Sequence, residues 1–214
     1  MLDKLQSPWL TPGETLLCLG DSLTAADPGY MQLLNAKLTA RNIKVINAGL
    51  GGDKTPAALA RLNSVLDNCQ PDAVSIFLGT NDAAIGRAIW ADEPIVAPET
   101  YRDNLCWIVH LIKMRCHVQK FSIATPLYKL EGEAYTMHGD ILKNYAAMAR
   151  EAADRMHTLL IPMDVVSEAF YLQNLHRMDW QSGLLMTTDG THPTPEVYEL
   201  LADAFLKYWK MDLN

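Results

Sequence analysis

Long apolar runs are missing from this sequence. None approaches the roughly 20 residues that a membrane-crossing helix needs, so no spanning segment is expected. Basic clusters are missing too. Lys and Arg number 18 against 25 Asp and Glu, a formal net charge of -7, and the cations stand singly along the chain. A nucleic-acid site needs a basic face and a membrane-surface helix a basic stripe, so neither nucleic acid nor stable membrane insertion is expected. Cysteine is sparse: Cys18, Cys69, Cys106 and Cys116 are irregularly spaced. That spacing reads as buried or incidental reduced thiols rather than a disulfide framework. Cys106 and His110, then Cys116 and His117, bring ligand types close together, but without Cys-x-x-Cys pairs they read as an ordinary helix face rather than a metal site. His138, His157 and His176 have no partner in view. The first residues lack the apolar core of a signal peptide. With Met1 as the natural start the expected compartment is the cytoplasm; a chain whose leader had been removed would be secreted or periplasmic. Repeats, low-complexity segments and linkers are absent, and 214 residues with 49% hydrophobic and 20% charged content suit a single domain over 1–214.

Two patterns alternate along the chain. Short apolar runs end at glycine, proline or an acid: "TLLCLG" (15–20), "KVINAG" (44–49), "AVSIFLG" (73–79), "FSIATP" (121–126) and "TLLIPMD" (158–164). Continuous apolar runs of this length read as strands buried on both faces. Between them lie helical periodicities. The first is Tyr30 to Ala40. Residues 55–68 follow, with Thr55 as N-cap and Pro56 at the first helical position. Then come 98–117 and 139–157, and last a helix capped by Thr194 with Pro195 behind it. Alternation of this kind predicts an α/β fold, a three-layer α/β/α arrangement on a five-stranded parallel sheet. Ligands in such sheets bind beyond the carboxyl ends of the strands, so the residues after each strand carry the information. The longest irregular stretches, 84–98 and 171–194, are candidate lids or specificity loops.

Four strand exits carry chemistry. "GDSLT" with Ser22 follows the first, "NAGLGGDKT" the second, "GTNDAA" with Asn81 and Asp82 the third, and "TTDGTHPT" with Asp189 and His192 follows the fifth. A serine hydroxyl needs a base within hydrogen-bond reach. His192 can be that base, and Asp189, three residues earlier, can orient the imidazole and stabilise its charged form. Negative charge developing on a substrate oxygen needs preorganised donors; the backbone N–H groups of Ser22 and Gly52 and the Asn81 amide are the candidates. Other readings stand beside these. Ser22 can be a helix cap. "GLGGDKT" has the look of a phosphate cradle without its "GK[ST]" ending. Asp82 reads as structural. Tyr30 flanks the serine as a candidate pocket wall. Residues 171–186 can line an acyl pocket or simply pack on the last helix.

"GDSL" (20–23), "NAGLGGD" (47–53), "GTND" (79–82) and "DGTH" (189–192) resemble, in order and in position, the four sequence blocks of the SGNH hydrolases, or GDSL lipases/esterases. The resemblance spans Gly20 to His192. It implies a flavodoxin-like strand order, 2-1-3-4-5. It also implies a serine esterase with Ser22, His192 and Asp189 as the triad and Ser22, Gly52 and Asn81 as the oxyanion hole. No metal or organic cofactor is implied. The partner is a small-molecule ester. The family also includes lipases, lysophospholipases, thioesterases and carbohydrate O-deacetylases. An acidic chain without a long apolar lid between the blocks favours small or short-acyl esters. Acyl transfer to an alcohol is the second enzyme reading, and a non-catalytic binding module on the same scaffold is a third.

Overall fold

The computed structural model describes residues 7–84, 94–132 and 140–211. The strands are β1 (Thr15–Gly20), β2 (Lys44–Gly49), β3 (Ala73–Phe77), β4 (Lys120–Ala124) and β5 (Leu159–Ile161). They form one sheet in the order β2-β1-β3-β4-β5, and every neighbouring pair is parallel. The expected α/β class and 2-1-3-4-5 order are therefore those of the molecule. β1, β3 and β4 are buried almost throughout, as continuous apolar runs require. β2 is half-buried because it is an edge strand, so the expectation of burial on both faces does not hold there.

The described helices are α1 (Ser22–Ala25), α2 (Tyr30–Thr39), α3 (Thr55–Asp67), α4 (Pro98–Cys116), α5 (Ile141–Met156), α6 (Met163–Asn174) and α7 (Pro195–Tyr208). Sequence pattern yields five of these. α1 is a single turn where the reading places only a helix start at Ser22, and α6 is missed because its first two residues, Met163 and Asp164, lie inside the run read as the last strand; β5 is only three residues long. Alternate residues of β1 explain the layering. Leu16 and Cys18 face a core built with α2, α6 and α7. Leu17 and Leu19 face another built with α3, α4 and α5. Both sheet faces are thus covered, and the site can lie only at a strand end.

Leu105 of α4 is fully buried in the second core, whereas Leu111 on the same helix is 42% exposed. Truncating Leu105 to alanine removes buried methyl groups and leaves a void, and is expected to lower the unfolding free energy by about 2–5 kcal/mol. Leu111→Ala should change it by less than about 0.5 kcal/mol. Urea unfolding of the two variants checks the assignment of faces.

Candidate active site

β1 stops at Gly20, where a Cβ would lie 1.9 Å from Thr24 Oγ1 and 2.9 Å from the Phe77 carbonyl. Only glycine lets the chain turn so closely under α1. The cap of α1 is Asp21, whose Oδ1 accepts the Leu23 N–H at 2.9 Å. Ser22 is therefore not the cap. Its Oγ lies 3.1 Å from His192 Nε2, across 170 residues of sequence.

The histidine is held by a tight turn. Asp189 Oδ1 accepts the N–H groups of Thr191 (2.9 Å) and His192 (2.8 Å). Its Oδ2 lies 2.8 Å from His192 Nδ1. Gly190 between them has φ +85°, a left-handed backbone that favours glycine. Partial burial works to raise the Asp189 pKa, but the hydrogen bonds from His192 and Thr191 and the nearby imidazole outweigh it and hold the carboxyl at about 2. Asp189 is thus a carboxylate, an acceptor only. Nδ1 must then carry a proton, and Nε2 is the ring nitrogen that faces Ser22 Oγ. The Asp189 and His192 side chains are 53% and 45% exposed, so this pair opens directly to solvent.

The three glycines after β2 have different roles. A Cβ on Gly49 would strike the Ala25 backbone nitrogen at 2.4 Å, while Gly51 faces open space. Gly52 has φ +81° in the turn closed by Asp53 N–H donating to the Leu50 carbonyl at 3.2 Å. Asn81 is buried, and its Nδ2 donates to the Asp53 carbonyl at 3.0 Å. That bond ties the β3 exit to the β2 exit. Arg61, two turns into α3, extends the tie: it pairs with Asp53 Oδ2 at 2.6 Å and donates to the carbonyls of Ala48 (2.8 Å) and Gly20 (3.3 Å). Sequence reading did not single out Arg61 or Asp53. The available signal was an acid in the glycine turn and an arginine eight residues on, in the following helix.

Two expectations need correction. Thr55 is the first residue of α3, not its cap. The N-cap is Lys54, without a side-chain bond, and the capping oxygens come from Asp82, which accepts the Thr55 N–H at 3.0 and 3.1 Å. Burial pushes Asp82 up to about 6 despite these bonds from Thr55. Asp82 is structural, as expected, and its carboxylate occupies the helix end that a phosphate cradle would use. Tyr30 is not a pocket wall. It is buried, its hydroxyl lies 2.8 Å from Thr24 Oγ1, and its ring stacks on Phe205 at 5.2 Å.

The other expectations fall as follows. Residues 171–188 run from the end of α6 through a 3-10 turn (Leu175–Arg177). Tyr171 is in the core, Arg177 pairs with Glu196 of α7 at 2.6 Å, and Trp180 is 79% exposed. The Arg177–Glu196 pair ties this segment to the last helix. Of the candidate lid 84–98, residues 85–93 lie outside the described residues, as does His138. His110 packs edge-on against Trp107 at 5.6 Å. His117 and His157 end α4 and α5 in left-handed conformations. Among the described residues, no helix is long and apolar enough to cross a membrane, and no group of three or more His, Cys, Asp or Glu is placed to hold a metal.

A parallel 2-1-3-4-5 sheet with serine, histidine and aspartate meeting at its carboxyl end has the form of an SGNH-type hydrolase. The sequence model of the GDSL-like Lipase/Acylhydrolase family matches residues 18–200; the chain belongs to this family and is a carboxylic ester hydrolase. Among its relatives, an arylesterase from Vibrio mimicus is 30% identical over 200 residues, covering 89% of this chain and 85% of the relative. A "Thioesterase 1/protease 1/lysophospholipase L1" from Escherichia coli K12 is 27% identical, covering 91% and 82%. In fold, the chain resembles the crystal structure of an acetylxylan esterase from Geobacillus stearothermophilus with a TM-score of 0.75. That match has 24% identity and covers 94% of this chain and 95% of the other.

Proposed function

We propose that this protein hydrolyses small or short-acyl carboxylic esters through an acyl-enzyme on Ser22. Ser22 Oγ attacks the ester carbonyl carbon while His192 Nε2 takes its proton. The oxyanion is met by the backbone N–H groups of Ser22 and Gly52 and by the second N–H of the Asn81 amide, the first being spent on the Asp53 carbonyl. Collapse of the tetrahedral intermediate breaks the C–O bond, and the imidazolium protonates the departing alcohol. Water then attacks the acyl carbon, His192 takes its proton, and return of that proton to Ser22 Oγ releases the acid. Asp189 keeps the imidazole in the Nδ1–H form and stabilises its charged state. No step calls on a metal or an organic cofactor.

The observation that carries this reading is the continuous path from Ser22 Oγ through Nε2 at 3.1 Å and Nδ1 to Asp189 at 2.8 Å. Support for short acyl groups comes from the exposed rim around His192 and from arylesterase and acetylxylan esterase among the relatives. The test is a hydrolysis series over acyl length, with aryl and sugar acetates, an acyl thioester and a lysophospholipid. The expected order has acetyl esters highest in kcat/KM, with a decline as the chain lengthens. A maximum at long acyl groups, or on lysophospholipid, would overturn the substrate assignment. In the pH profile of kcat/KM, loss of the Asp189 carboxylate should appear only near pH 2, because the hydrogen bonds from His192 and Thr191 hold that carboxyl down.

A further inference from the structure

The fourth strand exit was silent in sequence, yet two buried charges leave it for the loop that holds Asp189 and His192. Glu131 is 2% exposed. Its carboxylate accepts the N–H groups of Leu185 (3.0 Å), Met186 (2.7 Å) and Thr187 (2.9 Å), as well as the Thr187 hydroxyl (2.5 Å). Lys129 is 1% exposed. Its Nζ donates to the carbonyls of Gly190 (3.2 Å) and Thr191 (3.1 Å). An anion thus grips the N–H groups on the approach to the turn, and a cation grips the carbonyls inside it. The backbones touch as well: a Cβ on Gly132 would lie 2.4 Å from the Gly190 carbonyl oxygen.

We propose that Lys129 is a positioning residue for ester hydrolysis, holding the Gly190–Thr191 carbonyls so that His192 stays within proton-transfer reach of Ser22. A buried ammonium is costly unless it is hydrogen-bonded and set among opposite charge. Here it makes two carbonyl bonds and is attracted by Asp21, Glu131 and Asp189. Asp21 caps the turn that carries Ser22, and Asp189 orients the imidazole. One cation therefore acts on both halves of the Ser22–His192 pair. Burial pushes Lys129 down to about 7 against the pull of those three carboxylates. Asp21, also drawn by His192, is pushed up to about 7 by burial.

The inference rests on Ser22 and His192 acting as proposed above, and its test separates the two. Lys129→Met keeps the length and apolar stem of the side chain while removing the charge and the donors. In this variant kcat for an aryl acetate should fall by about 10²-fold, the scale of a roughly 1 Å misplacement at the reacting centre, with KM nearly unchanged. Lys129→Gln, which restores a donor without the charge, should recover part of kcat at the same KM. Fluorophosphonate labelling of Ser22 in the wild-type protein checks the underlying mechanism by itself. Absence of labelling there sinks the acyl-enzyme reading. Wild-type labelling with unchanged kcat in Lys129→Met, or no recovery of kcat in Lys129→Gln, overturns the role of Lys129 alone. Failure of both variants to fold also counts against it, since loss of a positioning contact should loosen one loop and leave the two cores intact.

Discussion

Ser22→Ala is expected to lower kcat for an aryl acetate by about 10⁶, the scale of removing the nucleophile from a serine triad. The reason is geometric. Among groups of the site, Ser22 Oγ is the hydroxyl held against His192 Nε2. An alanine there leaves the imidazole without a proton to take. The variant should fold normally, because the cap of α1 is the Asp21 carboxylate and not the serine hydroxyl. His192→Ala should cost about as much, and the double variant hardly more, since residues acting as one unit do not add. Steady-state kinetics on the three variants, with fluorophosphonate labelling of the wild type, provide the measurement. Full hydrolysis by Ser22→Ala would refute the acyl-enzyme.

Asn81→Ala carries the second large effect. Removing one oxyanion donor typically costs about 10²–10³ in kcat. KM should change little, because the donor acts on charge that develops only in the transition state. The variant also cuts the bond from Asn81 Nδ2 to the Asp53 carbonyl, and with it the link between the β3 and β2 exits. Its unfolding free energy should therefore drop by about 1–3 kcal/mol, the cost of leaving a buried acceptor unmet. Asn81→Asp keeps the size of the side chain but turns a carboxylate toward the developing oxyanion, so its kcat should fall further still. Comparison of kcat with the urea midpoint in both variants separates the two contributions. Equal kcat in Asn81→Ala and wild type would remove Asn81 from the oxyanion hole.

Much of the architecture was legible because it is written in local chemistry. The apolar run at 15–20 and the periodicities at 55–68 and 98–117 mark strands and helices by spacing alone. Thr194 and Pro195 mark a helix start, and the Thr194 side chain does accept the Val197 N–H at 3.4 Å. Thr55 shows where local rules stop. Threonine before proline reads as a cap, but a carboxylate 27 residues away does the capping, and nothing near Thr55 announces it. α6 escaped because its amphipathic pattern begins within the last apolar run, where strand and helix readings overlap. Tyr30 looked like a pocket wall from its place beside the serine, yet its ring stacks on Phe205 from the last helix.

The sequence alone determined the five strands, five of the seven described helices, the four informative strand exits and the residue chemistry of the candidate site. Capping, turn and periodicity preferences act over a few residues, and the four motif blocks resemble those of a known family. Tertiary structure decided what depends on distance. It brought His192 to Ser22, set Arg61 across the exits of β1 and β2, gave α3 its cap from Asp82, and placed Lys129 and Glu131 against the loop that carries Asp189 and His192. Each of these contacts joins segments whose separation along the chain carries no pattern. Packing helices on both faces of a parallel sheet is what brings the segments after its strands together at the carboxyl end.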